Sequence, residues 1–551
     1  MLGADILVEA LHREGVTHVF GLPGTTIMSV LDALARREDM RYISTRHEQV
    51  AGFMADGYAR ASGLPSVALA SRGPGAANLA IAVHNAHAES IPLVAVVGQV
   101  PDDIVHRDSF EETDLVAQFK PITTWAVEVR DPARIPELVQ RAVRMASSGR
   151  PGPVLVSVPM DAQTRDAEPA FQPYFRPAPP APDPAALHRA AALLRSAHRP
   201  VIITGGGMLS GGYHPGLHEL ATRLPAPVVT TWLRKNAVPN DADYFCGSLG
   251  YGAPEITENL VREADVVLAL GCRFSEFTTK RYTLLSPASQ LVHADIDAGE
   301  LGHIYLPEIG LHADAGGTAT ALAALLSPDA GEAAAARGTR LTELRRAYLA
   351  ATQPPPLEAG SSPVPSAAIV AALRPLARRE HIVLAQDVHT FGPWIQRFVE
   401  FIHPGSYYAA AGGSMGWGFP AALGIALARP DKRVVAVHGD GSFFMVAQDL
   451  ETAVREDIPV VNVIVNNFAY GNTRDRQRFA FDQRYLGVFL GNPDFARYAE
   501  LLGAYGERVD KPEQLGPALD RALACGRPAV LDVIQDSFEG LPDDLRPPGT
   551  R

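Results

Sequence analysis

The sequence predicts three consecutive α/β domains, each on a parallel sheet, and three observations lead there. Two proline-rich stretches punctuate the chain, seven prolines from Pro169 to Pro184 and a second cluster of Pro354, Pro355, Pro356, Pro363 and Pro365. Such density suits neither a helix interior nor a central strand, because proline lacks the amide donor and clashes with the preceding turn. Between these marks, short β-branched apolar runs alternate with longer stretches of helical period, as parallel sheets with crossover helices require. The length, 551 residues, provides for three or four domains of roughly 150 each. The expected boundaries are 1–168, 185–330 and 366–540.

The strands follow in order: Val67–Leu69, Leu93–Val97 and Val154–Val158 in the first part, Val201–Thr204 and Val266–Leu270 in the second, Val434–Val437, Val460–Val465 and Val530–Val533 in the third. Each lies close to Gly, Pro or an acidic residue. A weak internal echo links the outer parts: Gly149-Arg150-Pro151-Gly152-Pro153-Val154-Leu155-Val156 resembles Gly526-Arg527-Pro528-Ala529-Val530-Leu531-Asp532-Val533. It hints that the two outer domains are related.

Composition narrows the function classes. Hydrophobic residues make up 47% and charged residues 20% of the chain, ordinary values for a folded globular protein. With 49 Lys+Arg against 61 Asp+Glu the net charge is −12, which disfavours nucleic acid and anionic membrane as partners. Only Cys246, Cys272 and Cys525 occur, too few and too scattered for a disulfide framework or a cysteine metal site. Residues Met1–Phe20 carry charges at short intervals, so no signal-peptide core is expected, and no run reaches the roughly 20 apolar residues of a membrane span. A cytoplasmic protein is expected.

The strongest chemical signal is His438-Gly439-Asp440-Gly441-Ser442 directly after a strand, with Asn466-Asn467 closing the next. Glycines admit a phosphate close to the backbone, while Asp440 and the Asn467 side-chain carbonyl are hard oxygen donors suited to Mg²⁺. Either motif alone reads as turn chemistry. Together, at the carboxyl ends of neighbouring strands, they read as a shared ligand site.

Here the sequence resembles the thiamine diphosphate-dependent enzymes of the acetolactate synthase, benzoylformate decarboxylase and pyruvate decarboxylase type, closest overall to acetolactate synthase large subunits. Their diphosphate motif runs from Gly-Asp-Gly to Asn-Asn, and 24 residues separate Gly441 from Asn466. The resemblance implies that Asp440, Asn467 and the Ala469 carbonyl hold the metal, with Gly439, Gly441 and Ser442 lining the diphosphate. Arg46-His47-Glu48-Gln49 leading into Ala55-Asp56-Gly57-Tyr58-Ala59-Arg60 looks like the catalytic-glutamate segment and makes Glu48 the acid that shares a proton with the aminopyrimidine. Read on its own, Glu48 is equally a helix-start acid. Ala411-Gly412-Gly413-Ser414-Met415-Gly416 resembles the segment beneath the cofactor, placing Met415 and Gly413 there, and Gln386-Asp387-Val388-His389-Thr390 the diphosphate loop, offering His389 and Thr390 as donors.

The same resemblance implies an N-terminal pyrimidine-binding domain, an altered Rossmann-like middle domain and a C-terminal diphosphate-binding domain. It also implies a homodimer or homotetramer with active sites between subunits. Gly205-Gly206-Gly207-Met208-Leu209-Ser210-Gly211-Gly212 follows a strand but lacks dinucleotide spacing, so FAD in the middle domain stays open.

Gly21-Leu22-Pro23-Gly24-Thr25-Thr26 and Ser71-Arg72-Gly73-Pro74-Gly75 resemble substrate-facing loops, giving Thr25, Ser71 and Arg72 as candidates, with Phe110 and Arg476 at two further substrate positions of the family. Departures matter here. Phe277 stands where acetolactate synthases carry an Arg that grips the second 2-oxo acid, Arg476 replaces a Trp, and Phe110-Glu111-Glu112 replaces Phe-Gln-Glu. Ser71 stands where benzoylformate decarboxylases have His. Arg72 could meet a substrate carboxylate or point to solvent, and Arg474, Arg476 and Arg478 could form a solvated face or meet an anionic substrate. The expectation is decarboxylation of a 2-oxo acid with transfer to a carbonyl acceptor. Simple 2-oxo acid decarboxylation, a 2-hydroxyacyl-coenzyme A lyase and a binding protein without turnover are the alternatives.

Overall fold

A computed structural model describes residues 1–209, 212–326, 331–357 and 362–542. Ser210 and Gly211 of the glycine run and Gly360 and Ser361 of the second linker lie outside the described residues. The first linker, from 167 to 183, forms neither helix nor strand.

Three six-stranded parallel sheets follow one another. The first contains β1 (His18–Gly21), β2 (Arg41–Ser44), β3 (Ser66–Ala70), β4 (Leu93–Gln99), β5 (Trp125–Glu128) and β6 (Val154–Pro159) in the order β2-β1-β3-β4-β6-β5. The third contains β13 (Ile382–Gln386), β14 (Tyr407–Ala409), β15 (Arg433–Gly439), β16 (Val460–Asn466), β17 (Tyr505–Val509) and β18 (Ala529–Ile534) in the order β14-β13-β15-β16-β18-β17. Counted within each domain these orders are identical. The two halves of the sequence echo run into β6 and β18, the last strand of each outer domain.

The middle sheet differs. Strands β7 (Pro200–Thr204), β8 (Val228–Thr230), β9 (Phe245–Ser248), β10 (Val266–Leu270), β11 (Gln290–Asp295) and β12 (Ile309–His312) run β12-β11-β10-β7-β8-β9, the Rossmann arrangement. Helix Glu332–Ala351, past residue 330, adds to this unit: the Arg345 guanidinium donates to the carbonyls of Phe245 and Asn240.

All eight strands read from the sequence are present because they are the buried, β-branched centres of their sheets; β7, β10 and β16, for instance, are buried along their whole length.

One hydrophobic core runs through both outer domains. Its seam is the contact between helix α1 (Glu48–Ser62), which follows β2, and helix α3 (Gly418–Ala428), which follows β14. Helix α2 (Pro74–Glu89) lies between α1 and the middle domain's loops. A methyl on Gly57 would sit 2.2 Å from the Ala421 carbonyl oxygen, and one on Gly424 2.0 Å from that of Met54. The helices meet backbone to backbone, so only glycine fits at these two crossings. Among the described residues no helix is long and apolar enough to cross a membrane.

Candidate functional site

The carboxyl ends of β13, β15 and β16 lie side by side and carry the polar residues singled out above. Asp440 starts a short helix, α4 (Asp440–Phe443), and is 1% exposed. Burial pushes its carboxyl up to about 6, a shift that hydrogen bonds from Asn492 and nearby amides only partly offset. Among the described residues no cationic side chain pairs with it, so its charge awaits a cation. Asn467, 5% exposed, follows β16 and accepts from the Ala469 amide through Oδ1 at 3.2 Å. Phe468 between them takes φ 54°, which turns the chain sharply and sets Ala469 beside Asn467.

His389 and Thr390 complete this rim. Both ring nitrogens of His389 are buried and without a hydrogen-bond partner, and burial lowers its pKa to about 3, leaving a neutral imidazole. Thr390 stands over Gly471: a methyl there would come 2.2 Å from its hydroxyl and 3.2 Å from the Asn467 amide nitrogen. A methyl on Gly439 would come 3.1 Å from the His389 Cβ. Close glycines, a buried carboxyl lacking a counter-ion and an imidazole lacking a partner are what a metal diphosphate would satisfy.

Gly413 and Met415 lie on the segment between β14 and α3. Gly413 has φ 78° and nothing within 4 Å of where a Cβ would be, so this stretch faces open space. Two amides fix the segment on either side of Met415: Gly412 N–H donates to Glu89 and Gly416 N–H donates to the Ser442 hydroxyl at 2.8 Å. Ser442 thus holds the Met415 segment from the helix that Asp440 starts. Glu89, from α2, also accepts from Arg60 of α1 and Arg234 of the middle domain. Burial alone would raise its pKa, but the two guanidinium groups outweigh burial and hold it near about 2. One carboxylate therefore ties the N-terminal and middle domains to the C-terminal-domain segment carrying Met415.

Glu48 is the first residue of α1 and 6% exposed. His47 caps the helix by accepting the Gln49 amide. The Glu48 carboxyl accepts from Asn78 Nδ2 at 3.0 Å, and a methyl on Gly75 would come 3.0 Å from Oε1. Both contacts come from its own domain. Its neighbours reach instead toward the C-terminal domain of the same chain, Arg46 N–H to Asp449 and the Gln49 amide toward Gly416.

The substrate candidates separate. Ser71 pairs with Thr26, hydroxyl to hydroxyl at 2.8 Å, while Thr25 is exposed beside it. Arg72 is not an outward-pointing residue: its side chain is 11% exposed, faces Glu111 at 3.5 Å and lies 5.4 Å from the Phe110 ring centre. Phe110 itself is 75% exposed. Arg476 points outward on helix α5 (Gly471–Ala480), but its neighbours do not: Arg474 is buried against Asp475 and the Glu539 carbonyl, and Arg478 lies over Phe538. The triple-arginine stretch is therefore an anchor for the segment around Phe538 with one solvated member. Phe277 stacks on Trp232 at 4.4 Å.

Sequence reasoning missed Asn492, which donates to both Asp440 (2.6 Å) and Asn466 (2.9 Å), and it missed Asn78, Thr26, Glu89 and Arg234. Asn78 left a signal, one helical turn after Pro74, and Thr26 closes the loop motif beside Thr25. The others act across long sequence separations.

In the middle domain Gly205 N–H and Gly207 N–H donate to the carbonyls of Leu270 and Gly271 at 2.9 and 3.2 Å. Both amides are engaged within the middle domain.

Three family models match this chain: the N-terminal thiamine pyrophosphate-binding domain of the thiamine pyrophosphate enzymes over residues 1–118, their central domain over 187–324, and their C-terminal thiamine pyrophosphate-binding domain over 387–533. The chain belongs to the thiamine pyrophosphate enzyme family and is a thiamine diphosphate-dependent enzyme. Within it, the chain is 34% identical to the probable acetolactate synthase large subunit of Methanocaldococcus jannaschii, over 100% of this chain and 94% of that protein. It is 32% identical to the acetolactate synthase isozyme 1 large subunit of Escherichia coli strain K12, over 99% and 96% respectively.

Proposed function

We propose that this protein decarboxylates a 2-oxo acid and joins the remaining carbons to a carbonyl acceptor, in the manner of an acetolactate synthase. The observation that carries the reading is the Asp440 carboxyl without a cationic partner among the described residues and the His389 ring without a hydrogen-bond partner, at adjacent strand ends, in a chain alike over its whole length to acetolactate synthase large subunits. Asp440, Asn467 and the Ala469 carbonyl would hold Mg²⁺, hard oxygen donors for a hard ion. His389 and Thr390, with the backbone at Gly439 and Gly441, would bind the diphosphate, and Met415 would support the rings with Gly413 leaving room for them. When bound, thiamine diphosphate supplies an electron sink that lets the 2-oxo acid lose CO₂.

The bond between the carbonyl and carboxyl carbons breaks, CO₂ leaves, and the electron pair left behind forms the new carbon–carbon bond to the acceptor, whose oxygen takes a proton. Glu48 holds and moves the proton at the aminopyrimidine nitrogen, with its carboxyl oriented by Asn78. The resemblance to acetolactate synthase large subunits supports a site completed by a second chain, so that the N-terminal half of one subunit serves the C-terminal half of its partner in a homodimer or larger homo-oligomer. The experiment is CO₂ release and product analysis from a panel of 2-oxo acids with added thiamine diphosphate and Mg²⁺. Joined products are expected; CO₂ with aldehyde alone would make it a simple decarboxylase, and tight cofactor binding with no CO₂ would remove the reading.

A further inference from the structure

The loop Ser71–Gly75 frames the Glu48 carboxyl: Gly75 presses on it, Asn78 one turn later bonds it, and Ser71 is pinned to Thr26, whose hydroxyl also accepts the Arg72 amide at 3.2 Å. Arg72 is therefore a cation carried on the loop that frames the proposed catalytic acid, its guanidinium lying against Glu111 and Phe110. Its guanidinium is poorly satisfied. Nε is buried without a hydrogen-bond partner, and the nearest carboxylate oxygen, of Glu111, stands at 3.5 Å. A charge-assisted pair closes to about 2.7–2.9 Å, and a guanidinium offers five donors in a planar fork. Glu111 and Phe110 belong to an outlying stretch in which His106, Asp108 and Glu111 all take left-handed backbone angles, and this stretch meets the Arg72 guanidinium only through one long ion pair and one ring among the described residues.

We propose that Arg72 binds a carboxylate that survives the reaction, that of a 2-oxo acid acceptor, and that Glu111 stands in for it until the acceptor arrives. This rests on the carboligase reading above. The donor's carboxylate is the wrong ligand, since it leaves as neutral CO₂ and a cation fixed upon it would stabilise the state before the bond breaks rather than the transition state. The acceptor keeps its carboxylate throughout, and a bidentate guanidinium would orient its carbonyl.

The test is competition. Holoenzyme with pyruvate as donor is offered 2-oxobutyrate and propanal together, acceptors that differ by the carboxylate, and the ratio of the two joined products is measured. Arg72→Ala is expected to lower the 2-oxobutyrate share at least about tenfold, a loss of about 1.4 kcal/mol in discrimination, with Arg72→Lys falling less. Glu111→Gln, which leaves Arg72 in place, is expected to raise it. Calorimetric titration with the unreactive carboxylate oxamate reads binding without turnover, and its affinity is expected to move in the same directions. An unchanged ratio in Arg72→Ala or Glu111→Gln, from an enzyme that joins both acceptors, overturns the assignment alone. Wild-type enzyme that joins neither acceptor overturns the carboligase reading and the assignment with it.

Discussion

The two outer domains share one strand order and do opposite work. In both, a long helix follows the second strand, α1 in one and α3 in the other, and these equivalent helices form the seam of the common core. In both, a glycine-bearing turn follows the third strand. That turn carries Arg72 in the N-terminal domain and Asp440 in the C-terminal domain, a cation in one and a carboxyl in the other. The comparison teaches that the fold sets positions and the side chains set chemistry: in the proposed function one copy would present a carboxyl and substrate-facing groups, the other an anchor for a metal diphosphate.

Several substitutions would break or sharpen this division. Largest is Glu48→Gln, expected to lower turnover by roughly 10²–10⁴ while cofactor binding persists, read by CO₂ release alongside calorimetry. Near-normal turnover would take the acid's role away from the N-terminal domain. Next, Asp440→Ala is expected to weaken Mg²⁺ and cofactor binding at least about 100-fold.

The pH dependence of the same residue gives a finer test. The Asp440 carboxyl titrates near about 6, so Mg²⁺ affinity is expected to fall about tenfold per pH unit below that value, because the ion must displace a proton. For the metal-free protein the sign is opposite. A raised carboxyl pKa contributes stability that is full below its unfolded value near 3.9 and lost as pH rises through about 6. Asp440→Asn should flatten that part of the melting-temperature profile, and an unaltered slope between pH 4 and 7 would refute the burial argument.

Gly424→Val is expected to destabilise by about 1–3 kcal/mol or more, since its Cβ would enter the Met54 carbonyl, and a thermal melt reads it. Smallest is the pair Thr26→Val and Thr25→Ala: about 1 kcal/mol for the first, which loses its bond to Ser71, and within about 0.5 kcal/mol for the exposed neighbour.

The sheet centres were legible because a strand buried on both faces must be a continuous apolar run, as Leu93–Val97 and Val266–Leu270 are. Edge strands such as Arg41–Ser44, with an exposed first residue and alternating burial, carry no such mark. Motif residues were legible for a different reason: Asp440 and Asn467 sit where glycines and a strand end announce a turn. Glu89 was not. A helix-end acid in sequence reads as a solvated charge, and only folding brings Arg60 and Arg234 to it from 29 and 145 residues away. Thr26 rather than Thr25 meeting Ser71 depends on which way a turn faces, which a one-residue shift reverses.

The central claim is that each active site joins the acid of one chain to the metal anchor of another, and mixing two dead variants tests it most directly. Glu48→Gln chains and Asp440→Ala chains, unfolded and refolded together in equal amounts, should recover about a quarter of wild-type CO₂ release, because half the dimers are hybrids with one intact site of two. Recovery no greater than the sum of the two variants refolded separately, with hybrid dimers present, would mean that both groups act within one chain and would contradict the account.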